Sequence, residues 1–336
     1  MQLPTADELE LARTIIAPYV PTTPTFSWPL LNGHLGTTAY VKHENHTVVG
    51  AFKVRGGLVY MHALRARDRS YEGVIAATRG NHGQSIALAA GIYDVPCTIV
   101  VPIGNSREKN AAMRALGAML IEFGHDFQAA REHAALLARE RNLHFVPSFH
   151  RDLVLGVATY WMEFFEHVRL AAEAFPEVVF VPVGQGSGIS ACIAARALHG
   201  ATTRIVGVVS AHATAYRDSF LAGRAVERSV DTVLADGLAC RVPDAESLQL
   251  MQEHVDSVVA VTDDEVAGAM RQLFAATHNV AEGAGAASWA AAMQQRDALR
   301  GQRVGITLCG GNVDSDVLAR VLAGTDASPA QPAHAV

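Results

Sequence analysis

The chain has 336 residues, half of them hydrophobic and 18% charged, with a net charge of −6, a balance that suits a soluble chain of about two packed domains. It has no lysine or arginine run to form a basic stripe and no apolar run long enough to span a bilayer, which argues against nucleic-acid and membrane partners. Met1 to Asp7 lack a signal-peptide pattern, and Cys97, Cys192, Cys240 and Cys309 are far apart with no Cys-x-x-Cys, so the expectation is a cytoplasmic protein with reduced thiols, no zinc site and no disulfide framework.

Thr5 and Glu8 have capping-box spacing, and Leu11, Ile15 and Tyr19 continue at helical intervals, predicting a first helix to about Val20 that Pro21 and Pro24 stop. A short strand over 38–41 and a helix over 57–67 follow. Strands are then predicted over 73–77, 97–101, 119–122, 144–146, 178–183, 205–209, 258–261 and 304–309. Between and after them come helices over 83–91, 107–116, 127–140, 153–168, 187–198, 246–254, 263–277, 284–294 and 314–322. Continuous apolar strands alternating with helices indicate an α/β fold with parallel sheets covered on both faces. Residues 325–336 are small and proline-containing and read as a disordered tail.

Ligands in such sheets sit beyond the carboxyl ends of the strands, where three glycine-bearing loops fall. In Thr78-Arg79-Gly80-Asn81-His82-Gly83, the glycines let a ligand approach the backbone, and the helix start that follows favours an anion; the alternative is an ordinary strand-to-helix turn. Gly184-Gln185-Gly186-Ser187-Gly188 forms a nest of N–H groups suited to a phosphate, without the spacing of a dinucleotide fingerprint or a Walker A loop. Gly310-Gly311-Asn312 ends the last strand. Cys309 before it is either a site residue or a buried structural thiol. A fourth stretch, Ala51-Phe52-Lys53-Val54-Arg55-Gly56, sets Lys53 between two apolar residues. Desolvation there would lower its pKa and free the amine as a nucleophile or base; the alternative is a surface lysine at a helix start.

These four motifs, in this order and spacing, resemble the fold-type II pyridoxal-phosphate enzymes, specifically the threonine dehydratase/serine racemase group. The resemblance runs from Thr5 to about Leu322. It implies a tryptophan synthase β-like fold of two parallel-sheet domains. The large cofactor-binding domain would comprise 1–72 and 151–325, the small domain 73–150, and the tail 326–336. It also implies a homodimer acting on a small amino acid.

Residue by residue, the resemblance implies that Lys53 binds pyridoxal 5'-phosphate as a Schiff base and later moves the α-proton. Phe52 would border the ring, and Asn81 would bond its phenolic oxygen. Gly184, Gln185, Gly186, Ser187 and Gly188 would wrap the phosphate. Relatives commonly have a run of four glycines there, from which Gln185 and Ser187 depart. Glu282 would sit near the cofactor, and Cys309 beside the pyridine nitrogen, where a neutral thiol favours elimination over transamination. Thr78, Arg79, Gly80, Asn81 and His82 match the loop that holds the substrate carboxylate. The implied reaction is α,β-elimination of a β-hydroxy-α-amino acid to a 2-oxo acid and ammonia, with racemisation or β-replacement as the alternative.

Arg79 stands where serine racemases keep an acid/base serine. Being permanently charged it disfavours racemisation. Val209, Ala213 and Ala215 fall where some relatives place acidic cation ligands, so no metal of that kind is expected. Phe149, Leu155, Val157 and Tyr160 either border a large side-chain pocket, as for phenylserine, or pack a helix into the core. His43 and His46 read as structural or peripheral, and Asp263-Asp264 as a helix cap.

Overall fold

The computed structural model describes residues 1–68 and 70–325; the tail expected over 326–336 lies outside the described residues. Ten strands are present: β1 Thr25–Phe26, β2 Ala39–His43, β3 Gly73–Ala77, β4 Cys97–Val101, β5 Met119–Glu122, β6 Leu143–Phe145, β7 Val178–Pro182, β8 Arg204–Ser210, β9 Ser257–Val261 and β10 Val304–Leu308. They form a six-stranded sheet in the order β1-β2-β10-β7-β8-β9 and a four-stranded sheet in the order β5-β4-β3-β6. Among the described residues only the β1–β2 strand pairing is antiparallel.

The central strands β3, β4, β7 and β10 are largely apolar because both faces of each sheet are covered there. Along β7, Val179 and Val181 join one hydrophobic cluster, while Val178 and Phe180 join another. Along β3, Val74 and Ala76 enter the same first cluster as Val179, whereas Ile75 and Ala77 face a third. One core is therefore shared by the two sheets, and each sheet has a further core on its other face. The helix Arg151–Ala172 crosses the shared core, burying Trp161, Phe164 and Phe165 completely. It approaches the helix Lys53–Arg67 closely at Gly156, where a Cβ would stand 2.1 Å from the Arg55 carbonyl oxygen.

That contact explains why the second helix begins at Lys53, four residues before the sequence suggests. Gly56 and Gly57 are poor helix formers, but tertiary packing outweighs their propensity. The anchor is electrostatic as well. Arg55, fully buried, donates to Glu44 from Nε (2.8 Å) and Nη2 (3.0 Å), and to Glu163 from Nη1 (2.7 Å). Lys42 Nζ donates to the same Glu163 at 2.6 Å and to the Thr23 carbonyl at 2.8 Å. Two cations and two carboxylates thus balance inside the protein.

The first helix ends at Ile16, earlier than expected, in a turn closed by Tyr19 N–H to the Ile16 carbonyl; the Thr5–Glu8 capping box is present. The cap assigned to Asp263-Asp264 is made instead by Thr262, in a capping box with Glu265. Asp263 accepts from Thr232 Oγ1 and the Val233 N–H. The helices Pro29–Leu35 and Ala215–Ala222 and the two-residue β1 are additions to the sequence reading. No helix among the described residues is long and apolar enough to cross a membrane.

Removing Arg55 leaves the buried Glu44 without an ion-pair partner and Glu163 with Lys42 alone. Arg55→Ala is expected to cost about 3–5 kcal/mol, read as a lowered urea midpoint. A loss no larger than that of a typical surface substitution would show that the cluster is not an anchor.

Candidate active site

The segment leading to Lys53 is stitched to the end of β10. Thr47 Oγ1 donates to the Ala51 carbonyl (2.9 Å) and accepts from its N–H (3.0 Å). Ala51 bridges to Gly310, and the Phe52 N–H donates to the Cys309 carbonyl at 3.0 Å. Lys53 then opens its helix, with Ser85 Oγ donating to its carbonyl at 2.6 Å. Its Nζ donates to Ser187 Oγ at 2.8 Å and lies 5.1 Å from the centre of the Phe52 ring. The side chain is partly open to the cavity it lines, and among the described residues no carboxylate pairs with it. Desolvation lowers its pKa to about 8, with the nearby Cys309 acting weakly the other way.

The loop after β3 holds its shape through Thr78, whose Oγ1 accepts from the N–H groups of Gly80 (2.9 Å) and Gly83 (3.3 Å). Asn81 is oriented on both sides. Its Oδ1 accepts from Asn312 Nδ2 at 2.8 Å, and its Nδ2 donates to Glu282 Oε1 at 2.5 Å, which leaves one amide hydrogen for a ligand. Burial, reinforced by Lys53, pushes the His82 pKa down to about 3, so the ring is neutral at ordinary pH.

Glu282 precedes the helix Gly283–Gln294 without capping it by a side-chain bond. Its carboxylate meets Lys109 Nζ at 3.1 Å instead, and Lys109 also holds Asp236 at 2.8 Å. Burial raises the Glu282 pKa, and Lys109 opposes the rise; on Lys109 the two carboxylates outweigh burial and hold the ammonium firmly protonated. Sequence reasoning missed Lys109 and Asp236. Lys109 reads as one more charge on a surface helix, and nothing local points to partners so distant along the chain.

After β7, Gly186 adopts φ of 95° and caps the helix Ser187–Leu198 with no side chain. A Cβ there would lie 1.7 Å from Ser247 Oγ. The first N–H groups of that helix are left without a side-chain cap, an arrangement that suits a phosphate. Of the two departures in this loop, Ser187 meets Lys53, whereas Gln185 turns its Nε2 to Cys240 Sγ at 3.4 Å. Burial pushes the Cys309 thiol well above its ordinary pKa, and its Sγ donates to the Ala284 carbonyl at 3.5 Å, so it is a neutral thiol.

One cavity is lined by Phe52, Lys53, residues 78–82 and 184–188, Glu282 and Cys309, together with Lys109, Asp236, Tyr160 and Phe127. Two sequence candidates lie elsewhere. Phe149 lines an adjoining cavity, and Leu155, 7% exposed, belongs to the shared core with Val157. The lining combines a partly discharged lysine with an uncapped helix start over a glycine cradle, a donor set that fits an aldehyde bearing a phosphate. A family model for pyridoxal-phosphate dependent enzymes matches residues 16–310. The chain belongs to that family.

The L-threonine ammonia-lyase of Thermotoga maritima is 35% identical over 288 residues, covering 85% of this chain and 70% of that protein. The L-threo-3-hydroxyaspartate ammonia-lyase of Saccharomyces cerevisiae is 33% identical over 331 residues, 98% of this chain and 99% of that one. A processed threonine deaminase from Solanum lycopersicum superposes with a TM-score of 0.84 at 28% identity, covering 96% of this chain and 90% of that chain. This pyridoxal-phosphate dependent enzyme has the fold-type II architecture.

Two expectations follow from the geometry. Gly186→Ala meets both a positive φ and Ser247, so it should weaken pyridoxal-phosphate affinity at least tenfold by equilibrium titration; unchanged affinity would show that the cradle can relax. In cofactor-free protein, labelling of Lys53 by an amine reagent should rise with a midpoint near pH 8 rather than 10.5, because the reactive neutral amine exists above that pH. A midpoint above pH 10 by peptide mass spectrometry would contradict the desolvation argument.

Proposed function

We propose that this enzyme is an ammonia-lyase of β-hydroxy-α-amino acids, with Lys53 as the cofactor anchor and the base for the α-proton. The observation that carries the reading is the state of Lys53. Of the two lysines lining the cavity, Lys109 is neutralised by two carboxylates, while Lys53 pairs with none among the described residues and burial lowers its pKa to about 8. The two curated relatives act on threonine and threo-3-hydroxyaspartate, both β-hydroxy-α-amino acids.

Bound pyridoxal phosphate supplies an electron sink for the carbanion left when the α-proton is removed. The backbone of 184–188 would take its phosphate, Asn81 would address its phenolic oxygen and Cys309 its ring nitrogen, and Phe52 would wall the slot. The Lys53 amine, a base near neutrality, takes the α-proton, and the adjacent Ser187 hydroxyl offers it a hydrogen-bond relay. The neutral Cys309 thiol places no anion beside the ring, which limits how long negative charge is stored and favours prompt loss of the β-hydroxyl over transamination. The N–H groups opening the helix Asn81–Ile92 suit the α-carboxylate.

The threonine-type and phenylserine-type readings differ in pocket size. Of the four residues behind the aromatic reading, Leu155 and Val157 pack the core. Tyr160 lines the inner cavity edge-on to Phe52, and Phe149 lines the adjoining one. This placement supports a small β-substituent. Holoenzyme should release equal amounts of 2-oxo acid and ammonia from a β-hydroxy amino acid, and Lys53→Ala should abolish that turnover. Racemised substrate or a β-substituted product without ammonia would replace this reading with one of its alternatives.

A further inference from the structure

The cavity around Lys53 adjoins a larger one of about 730 Å³, and the two share Arg79, Phe127, Ser148, Gln185 and Ala239. Arg79 is the one charged residue of that shared wall. It is partly buried, its Nε has no hydrogen-bond partner, and among the described residues its guanidinium enters no ion pair. Arginines further out in the larger cavity are neutralised: Arg228 by Asp218 at 2.7 Å, and Arg241 by Glu227 at 2.6 Å. Of the cavity's other carboxylates, Asp126 caps a helix through the Ala129 N–H and Asp244 another through Glu246 and Ser247. Arg131, exposed, lines the same cavity and adds a further positive charge.

An arginine is always charged and presents a planar fork that matches a carboxylate. Half-buried without an anion, it leaves its buried Nε without a partner. The α-carboxylate of an amino acid does not require it. Ahead of the first intrahelical bond of the helix Asn81–Ile92, Gln84 N–H to the Gly80 carbonyl, Thr78 occupies the Gly80 and Gly83 N–H groups, leaving those of Asn81 and His82 to hold an anion. Arg79 is thus free for a second one. Its neighbours Gly80 and Asn81 line the inner cavity, so that anion belongs close to the reacting carbons.

We propose that the preferred substrate carries a second carboxylate directly on its β-carbon, as in 3-hydroxyaspartate, and that Arg79 binds this distal carboxylate. The proposal rests on the ammonia-lyase reading above. The Cα–H and Cβ–O bonds break, the hydroxyl leaves as water with one added proton, and hydrolysis of the released enamine gives oxaloacetate and ammonia without any oxidant. A hydrogen-bonding pocket of this kind rejects analogues that lack the partner group far better than an apolar one does.

The test compares kcat/KM of the holoenzyme on threo- and erythro-3-hydroxyaspartate, threonine and phenylserine. One hydroxyaspartate diastereomer should exceed threonine by about 100-fold. In Arg79→Met that ratio should collapse, chiefly through KM, with partial recovery in Arg79→Lys; retained cofactor absorbance controls for folding. Preference for threonine or phenylserine in the wild type overturns the proposal while leaving the ammonia-lyase reading intact. So does an Arg79→Met variant that loses hydroxyaspartate and threonine by the same factor, which would place Arg79 on the α-carboxylate. If cofactor-loaded protein yields ammonia and a 2-oxo acid from none of the four, the ammonia-lyase reading fails and this proposal with it.

Discussion

Arg55 stands two residues after Lys53, clamped between Glu44 and Glu163, with Lys42 completing the balance. Four charges taken out of water are tolerable only because every one has a partner at hydrogen-bond distance. The cluster ties β2, the turn after it, the helix Lys53–Arg67 and the helix Arg151–Ala172 into one unit. It therefore sets where the first turn of the Lys53 helix can lie. Since the same segment is bonded to the end of β10 at Ala51 and Phe52, the position of Lys53 is determined from both sides before any ligand arrives.

The site shows how a counter-charge decides what burial does to a titratable group. Lys53, His82 and Cys309 lack a partner strong enough to offset desolvation, so each shifts toward its neutral form. Lys109, equally enclosed, stays charged because Asp236 and Glu282 hold it. The neutral groups are those the proposed elimination would need neutral: an amine to accept a proton and a thiol that would leave a ring nitrogen without an anion. The charged group joins the loop after β3 to the helix after Glu282 through Asn81, so the pieces from the two sheets meet in a fixed arrangement.

Much of this was readable beforehand. The parallel α/β class followed from uninterrupted apolar strands such as Val178–Pro182, which are buried on both faces. The four motifs pointed to one site because glycines at strand ends and a lysine between apolar residues have few other uses in combination. Local pattern failed where tertiary contacts decide. Gly56 and Gly57 look like a helix boundary, yet they lie inside a helix because Gly156 lets one neighbouring helix close on Gly56 while Ser85 packs against Gly57. Leu155 and Val157 sit near the site in sequence but face the core, a distinction that depends on the rotation of the helix Arg151–Ala172. Lys109 carried no local signal, since its role is defined by Asp236 and Glu282. The short helix Pro29–Leu35 did carry one, with Pro29 at its first position and Gly36 left-handed at its end.

The unpaired amine of Lys53 also bears on the chain's own persistence. Between pH 8 and 10.5 the unfolded chain holds a proton on this lysine that the native cofactor-free protein releases, so the native form gains as pH rises through that window. Below it the cost of enclosing the amine is constant and falls on the apoprotein. A coenzyme held at this amine would offset that cost, because a ligand that binds only the native form adds stability by mass action. Vitamin supply would thereby govern how much of this protein survives in a cell as well as how fast it works.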